Sequence, residues 1–161
     1  TSKNMLTLIM YHLIARPEIY RKCAEDLDYC RKVVEEAFRF TGTATSFRAT
    51  AEDIVYRDVV LPRDTMLFFP IGMASRDPSA FERPDEFDID RSRTPQHLAF
   101  GVGPHFCVGS ALARQELVSG FTQWLERTSS IELSRELVAP VHEPSFILFP
   151  MKELPLRFEP A

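Results

Sequence analysis

Phe100-Gly101-Val102-Gly103-Pro104-His105-Phe106-Cys107-Val108-Gly109 is the stretch whose reading decides the fold. It sets one cysteine in a glycine-punctuated loop, immediately before a segment with helical spacing. An ordinary cysteine titrates near pH 8.5, and the partial positive charge and unpaired amides of a helix N-terminus favour its thiolate. Gly103 and Gly109 remove side chains where backbone must turn sharply or approach a ligand. The whole spacing, F-x-x-G-x-x-x-C-x-G, describes a thiolate presented to a large flat ligand. A lone cysteine is more often a small buried hydrophobe, and it is the full pattern that argues otherwise. Zinc is a poor rival, because Cys23 and Cys30 have no Cys or His partner at ligand spacing. A cysteine protease is no better, since His97 and His105 lie close by in sequence and no nucleophile signature surrounds Cys107.

Composition narrows the class. The chain has 161 residues, enough for one domain with a core, with 45% hydrophobic and 26% charged residues. A net charge of -4 and the lack of a basic run speak against a nucleic-acid surface. Three scattered cysteines make no disulfide framework and fit a reducing compartment, hence the cytoplasm. No apolar run approaches the roughly 20 residues of a membrane span. Thr1-Ser2-Lys3-Asn4 is neither a signal region nor an anchor, and it runs directly into apolar residues at helical spacing.

Working outward from the loop, apolar positions from Met5 to Ile14 predict a helix that Pro17 ends. Glu18 to Leu27 and Asp28 to Phe40 predict two more, the second turning Val33, Val34, Ala37 and Phe38 inward. Thr41 to Phe47 reads as a loop. Phe47 to Thr50, Ile54 to Tyr56, Val59 to Leu61 and Met66 to Phe69 read as strands of a small sheet, separated by charged turns. Ala74 to Pro95 is an irregular loop. A helix runs from beyond Cys107 to about Arg127, with Leu112, Leu117, Phe121 and Leu125 available for packing. Short strands alternate with Pro140, Pro144, Pro150 and Pro155 towards the end. Helices dominate, with small β-sheets as a minority.

Glu36 and Arg39 stand three apart, on one face of their predicted helix. A lone E-x-x-R is usually a surface pair worth under about 1 kcal/mol.

The cysteine stretch, followed by Ala113-Arg114, resembles the haem-binding loop of the cytochrome P450 haem-thiolate monooxygenases. His97-Leu98-Ala99-Phe100 leading into it resembles the soluble bacterial type. The resemblance implies the C-terminal, proximal-haem part of that fold over residues 1–161, a portion of one P450 domain with the upstream part missing. It implies haem b as cofactor, with Cys107 as axial ligand of the iron and Phe100, Gly101, Gly109 and Ala113 along the ring. Arg48 and His105 resemble the ligands of the haem propionates, as charge-assisted hydrogen bonding to carboxylates requires. Glu36 and Arg39 resemble the Glu-Arg pair of the family's K helix. Its third, basic member is Arg91 by first choice and Arg83 by second, and the role is structural.

Thr1 resembles the alcohol of the acid–alcohol pair that delivers protons; a helix-capping threonine is the alternative. Thr45, Phe47, Phe146 and Ile147 resemble residues of two substrate-recognition segments, with core packing as the alternative for each aromatic. Arg114 either faces an acidic electron donor or pairs with a neighbouring glutamate. The implied reaction inserts one oxygen atom of O2 into an apolar small molecule. Electrons come ultimately from NAD(P)H through ferredoxin reductase and ferredoxin. The competing expectation is a truncated, non-catalytic fragment, with or without bound haem.

Overall fold

A computed structural model describes residues 1–91, 96–136 and 141–161. The end of the predicted Ala74 to Pro95 loop (92–95) and Pro140 lie outside the described residues. Three helices open the chain: α1 (Ser2–Ile14), α2 (Pro17–Glu25) and α3 (Leu27–Thr41). Pro17 sits in the first turn of α2, where its missing N–H costs nothing. Asp26 caps α3, its carboxylate accepting from Asp28 N at 2.9 Å and Tyr29 N at 3.0 Å.

The strands follow as β1 (Ser46–Ala49), β2 (Ile54–Tyr56), β3 (Val59–Leu61) and β4 (Met66–Phe69). They do not make one small sheet. β1 pairs antiparallel with β4, Arg48 opposite Leu67, while β2 and β3 form a separate hairpin. Arg57 and Asp58 both take positive φ in its two-residue turn, the backbone that matches the twist of paired strands. A short helix α4 (Ile71–Ala74) after Pro70 lies where no periodicity announced one. It approaches the end of α3 so closely that a Cβ on Gly42 would stand 2.4 Å from Gly72 Cα. Helix α5 (Ser110–Leu125) follows the cysteine loop, and β5 (Thr128–Leu133) pairs antiparallel with β6 (Leu156–Pro160).

The core lies between α1, α2, α3 and α5. Met5, Ile9, Leu13, Val33, Val34, Phe38, Leu117 and Phe121 fill it. Tyr20 closes one end, its hydroxyl 2.6 Å from Thr128 Oγ1 and accepting from Trp124 Nε1 at 3.0 Å. Leu112 is not part of it: at 62% exposed it stands on the opposite side of α5 from Leu117 and Phe121. It lies five residues before Leu117 and nine before Phe121, about 140° and 180° round the helix, so the spacing itself sets it on another face. Among the described residues no helix is long and apolar enough to cross a membrane.

Candidate functional site

The cysteine loop is shaped by its backbone. Gly101 and Gly103 take φ of +71° and +73°, which side chains disfavour, and a 3₁₀ turn spans Gly103–His105. The Cys107 amide donates back to Phe100 O at 2.9 Å, and Phe106 N to Gly103 O at 3.0 Å. The chain then enters α5 through Ser110 N, which donates to Cys107 O at 3.1 Å. Cys107 is therefore held by main-chain bonds at the threshold of a helix, with its side chain exposed. A Cβ on Gly109 would stand 3.8 Å from the Cys107 Sγ, so glycine leaves the space beside the sulfur open.

Cys107 opens onto a cavity of about 950 Å³. Its wall combines α1, the loop after α3, β1, α4, the cysteine loop and α5. Thr1, Thr45, Arg48, Phe100, Gly101, His105, Gly109 and Ala113 all line it, as does Leu112. Arg48 donates through Nη1 to Ser46 Oγ at 2.8 Å and Phe47 O at 2.6 Å, and its remaining donors have no partner among the described residues. Thr1 precedes α1 and makes no side-chain capping bond, so its hydroxyl is not spent on the helix. Phe47, Phe146 and Ile147 do not line this cavity. Along β1 alternate side chains face opposite ways, so Ser46 and Arg48 face the cavity while Phe47 packs on Phe68, ring centroids 5.2 Å apart. Phe146, 82% exposed, and Ile147 contribute carbonyls that accept from Thr45, Ile147 O from its amide at 2.9 Å.

Glu36 and Arg39 of α3 hold the segment from Ser75 to Arg91 in a closed polar assembly. Arg39 is 0% exposed and Glu36 4%. Arg39 Nε and Nη2 fork onto the Glu36 carboxylate at 2.8 and 2.7 Å. Its other donors reach the carbonyls of Ser75 at 3.1 Å, Pro84 at 2.8 Å and Glu86 at 2.9 Å. The Arg91 side chain, 4% exposed, joins Glu36 Oε1 at 3.3 Å, and Asp88 N donates to the same oxygen at 2.9 Å. Arg91 also donates to the carbonyls of Glu82, Arg83 and Glu86. The surface-pair reading of Glu36 and Arg39 therefore fails. Arg83 stays outside this assembly, paired with Glu86 and Asp88 at the surface.

Sequence reasoning missed Glu35 and His97. Arg114 forks onto Glu35, Nη2 to Oε2 at 3.1 Å, and His97 Nε2 stands 3.2 Å from the same oxygen. Burial works against the Glu35 carboxylate, but the bonds to His97 and Arg114 outweigh it and hold its pKa at about 2. The signal available beforehand was only that Arg114 could find a neighbouring glutamate; which one depends on contacts far apart in sequence.

Residues 1–158 match the family profile for cytochrome P450. The chain belongs to the cytochrome P450 family. It is 36% identical over 160 residues to the biotin biosynthesis cytochrome P450 of Bacillus subtilis (strain 168), covering 99% of this chain and 40% of the relative. To the luteothin monooxygenase of Streptomyces thioluteus it is 35% identical over 139 residues, covering 85% of this chain and 34% of the relative. Among solved structures, the substrate-free Mycobacterium marinum cytochrome P450 CYP150A6 superposes with a TM-score of 0.92 at 30% identity, covering all of this chain and 41% of that one. P450BioI in complex with acyl carrier protein ligated to hexadec-9Z-enoic acid gives 0.88 at 36% identity, covering 98% and 41%. The chain thus spans between a third and about two fifths of the length of these P450 relatives. Its helices and small strand pairs are a portion of the P450 fold.

The described residues fit the family's haem. The cavity lies at the upper end of the range of about 300–1,000 Å³ usual for small-molecule and cofactor sites. It offers one exposed thiol, a glycine beside that thiol, apolar walls and two nitrogen donors suited to carboxylates.

Proposed function

We propose that residues 1–161 are the C-terminal, cysteine-bearing portion of a single P450 domain whose reaction inserts one oxygen atom of O2 into an apolar small molecule. The observation that carries this reading is the meeting of Cys107, Arg48 and His105 on the wall of one cavity, contributed by two separate segments. Cys107 would hold the haem iron as thiolate. Arg48 and His105 would hold its propionates through charge-assisted hydrogen bonds, as Arg48's unspent donors allow. Phe100, Gly101, Gly109 and Ala113 would lie along the ring. Bound haem would supply the oxygen-activating redox chemistry, which a thiolate from Cys107 would favour.

The chain's own residues do the rest. Thr1, on the cavity wall with its hydroxyl unspent, would pass a proton into the site. Thr45 would border the substrate, while Phe47, Phe146 and Ile147 would border it only from outside the described cavity. Leu112, Phe100 and Met5 make much of the wall apolar, which suits an apolar substrate. One relative, P450BioI, is in complex with acyl carrier protein ligated to hexadec-9Z-enoic acid, which carries a long apolar tail. Glu36, Arg39 and Arg91 would hold the loop that underlies the haem. Electrons would come from NAD(P)H through ferredoxin reductase and ferredoxin. Arg114 is paired with Glu35 and Arg31 with Asp28, so neither charge is reserved for an acidic donor. Three free cysteines suit a reducing cytoplasm.

A carbon monoxide difference spectrum of the reduced, haem-supplied protein tests this. The expected result is the red-shifted Soret band of thiolate-bound haem, abolished by Cys107→Ala. Failure of the chain to take up haem overturns it.

A further inference from the structure

The register of the cysteine loop is carried by Phe100, whose carbonyl accepts the Cys107 amide at 2.9 Å. The Phe100 ring is gripped from two sides. Phe38 of α3 packs against it with centroids 4.6 Å apart, and the Arg114 guanidinium carbon lies 4.4 Å from its centroid. Arg114 cannot roll off that face, because its Nε and Nη2 both donate to the Glu35 carboxylate. Glu35 is steadied in turn by His97, whose buried ring stands 5.8 Å from Phe100. One carboxylate on α3 therefore fixes the plane of a guanidinium on α5. That plane caps the aromatic residue from which the thiol is hung.

We propose that Glu35 and Arg114 are positioning residues for the Cys107 thiol. They hold Phe100, and through its carbonyl the cysteine, at a fixed distance from the cavity floor. The forked bond matters as much as the charge: a lysine supplies a point charge but neither the fork nor the flat face that lies on the ring. The proposal rests on reading Cys107 as the haem-facing thiol, yet its first test needs no haem.

The haem-free chain is treated with iodoacetamide, and each cysteine is followed by mass spectrometry. Cys107 is exposed, whereas Cys23 and Cys30 are buried and serve as internal reporters of general loosening. In Glu35→Gln and in Arg114→Lys, the Cys107 alkylation rate is expected to change by about threefold or more as the thiol loses its fixed place before α5, with Cys23 and Cys30 still protected. Arg157→Gln, which removes a distant surface pair with Glu132, should leave all three rates unchanged.

Arg114→Lys keeps the charge, so a changed rate in Glu35→Gln alone would mean an electric field effect and overturn the proposal. Unchanged Cys107 rates in both variants overturn it, and so does a parallel change in all three cysteines. In the haem-loaded protein the same two variants should shift part of the reduced carbon monoxide band to the blue. If the unmodified chain takes up no haem, the proposed function falls while the alkylation experiment still decides the positioning role.

Discussion

The Glu36 assembly and the Cys107 cavity are opposite kinds of region. Glu36 faces inward, to an assembly in which all five N–H donors of Arg39 are spent on a carboxylate and three carbonyls. The cysteine cavity, by contrast, is lined by groups whose capacity is largely unspent among the described residues: an exposed thiol, the remaining donors of Arg48 and the Thr1 hydroxyl. The first region is finished without a ligand, and the second is not. Polar groups that fold the chain are satisfied by the chain, whereas polar groups that bind something are left for it.

Breaking the finished region should have the largest effect. Arg39→Met removes one partner of a buried pair: Glu36 keeps only Arg91 and the Asp88 amide, and the Ser75 and Pro84 carbonyls lose their donor, a loss of about 3–5 kcal/mol. Urea denaturation followed by circular dichroism should show a protein barely folded or not folded at all. A variant with stability near that of the unmodified chain would mean that the assembly is ornamental.

His12 extends the same logic to pH. It sits where α1 meets the end of α3, its Nε2 3.0 Å from Thr41 Oγ1 and its ring stacked on Phe87 at 5.1 Å. Burial, reinforced by the nearby Arg16 and Arg76 cations, lowers its pKa from 6.5 to about 4. The unfolded chain therefore takes up a proton before the folded one does. The His12 contribution to stability is complete above pH 6.5, falls as pH drops towards 4 and then levels, by at most roughly 3 kcal/mol. His12→Gln should flatten that limb of the stability curve. An unchanged slope in the variant would locate the acid sensitivity elsewhere.

Arg91 and Arg83 give a sharper contrast, because both are arginines of one irregular loop. Arg91→Ala leaves Glu36 and several carbonyls short of partners and should cost about 2–3 kcal/mol. Arg83→Ala breaks only surface pairs and should cost under about 1 kcal/mol. Equal losses would erase the distinction between a donor spent inside and one spent at the surface.

That contrast also marks how far the sequence could be read. The cysteine loop was legible because its demands are local: glycines where φ turns positive, and a helix directly after. The spacing of Glu36 and Arg39 was legible too, but not their burial. Spacing assigns a face, while the cover over that face comes from the carbonyls of Ser75, Pro84 and Glu86, which no periodicity brings near. Leu112 failed for a local reason: five residues before Leu117 and nine before Phe121, it lies off the face those two share. Strand pairing, like the cover over Glu36, is non-local, so four legible strands gave no warning that β1 would pair with β4 around an independent hairpin. Glu35 and His97 needed both kinds of knowledge, for they meet Arg114 only when α3, α5 and the entry to the loop are already packed.

The smallest expected effect is the most telling about the unfinished region. Cys107 is exposed, its loop is fixed through its backbone amide and carbonyl, and its side chain fills no part of the core. Cys107→Ala should therefore change the stability of the haem-free chain by no more than about 0.5 kcal/mol, as for other surface positions. The urea midpoint should stay put while the thiolate spectrum of the haem-supplied protein disappears. A large stability loss would show that the sulfur is spent on holding the fold, and that the cavity side is as closed as the Glu36 side.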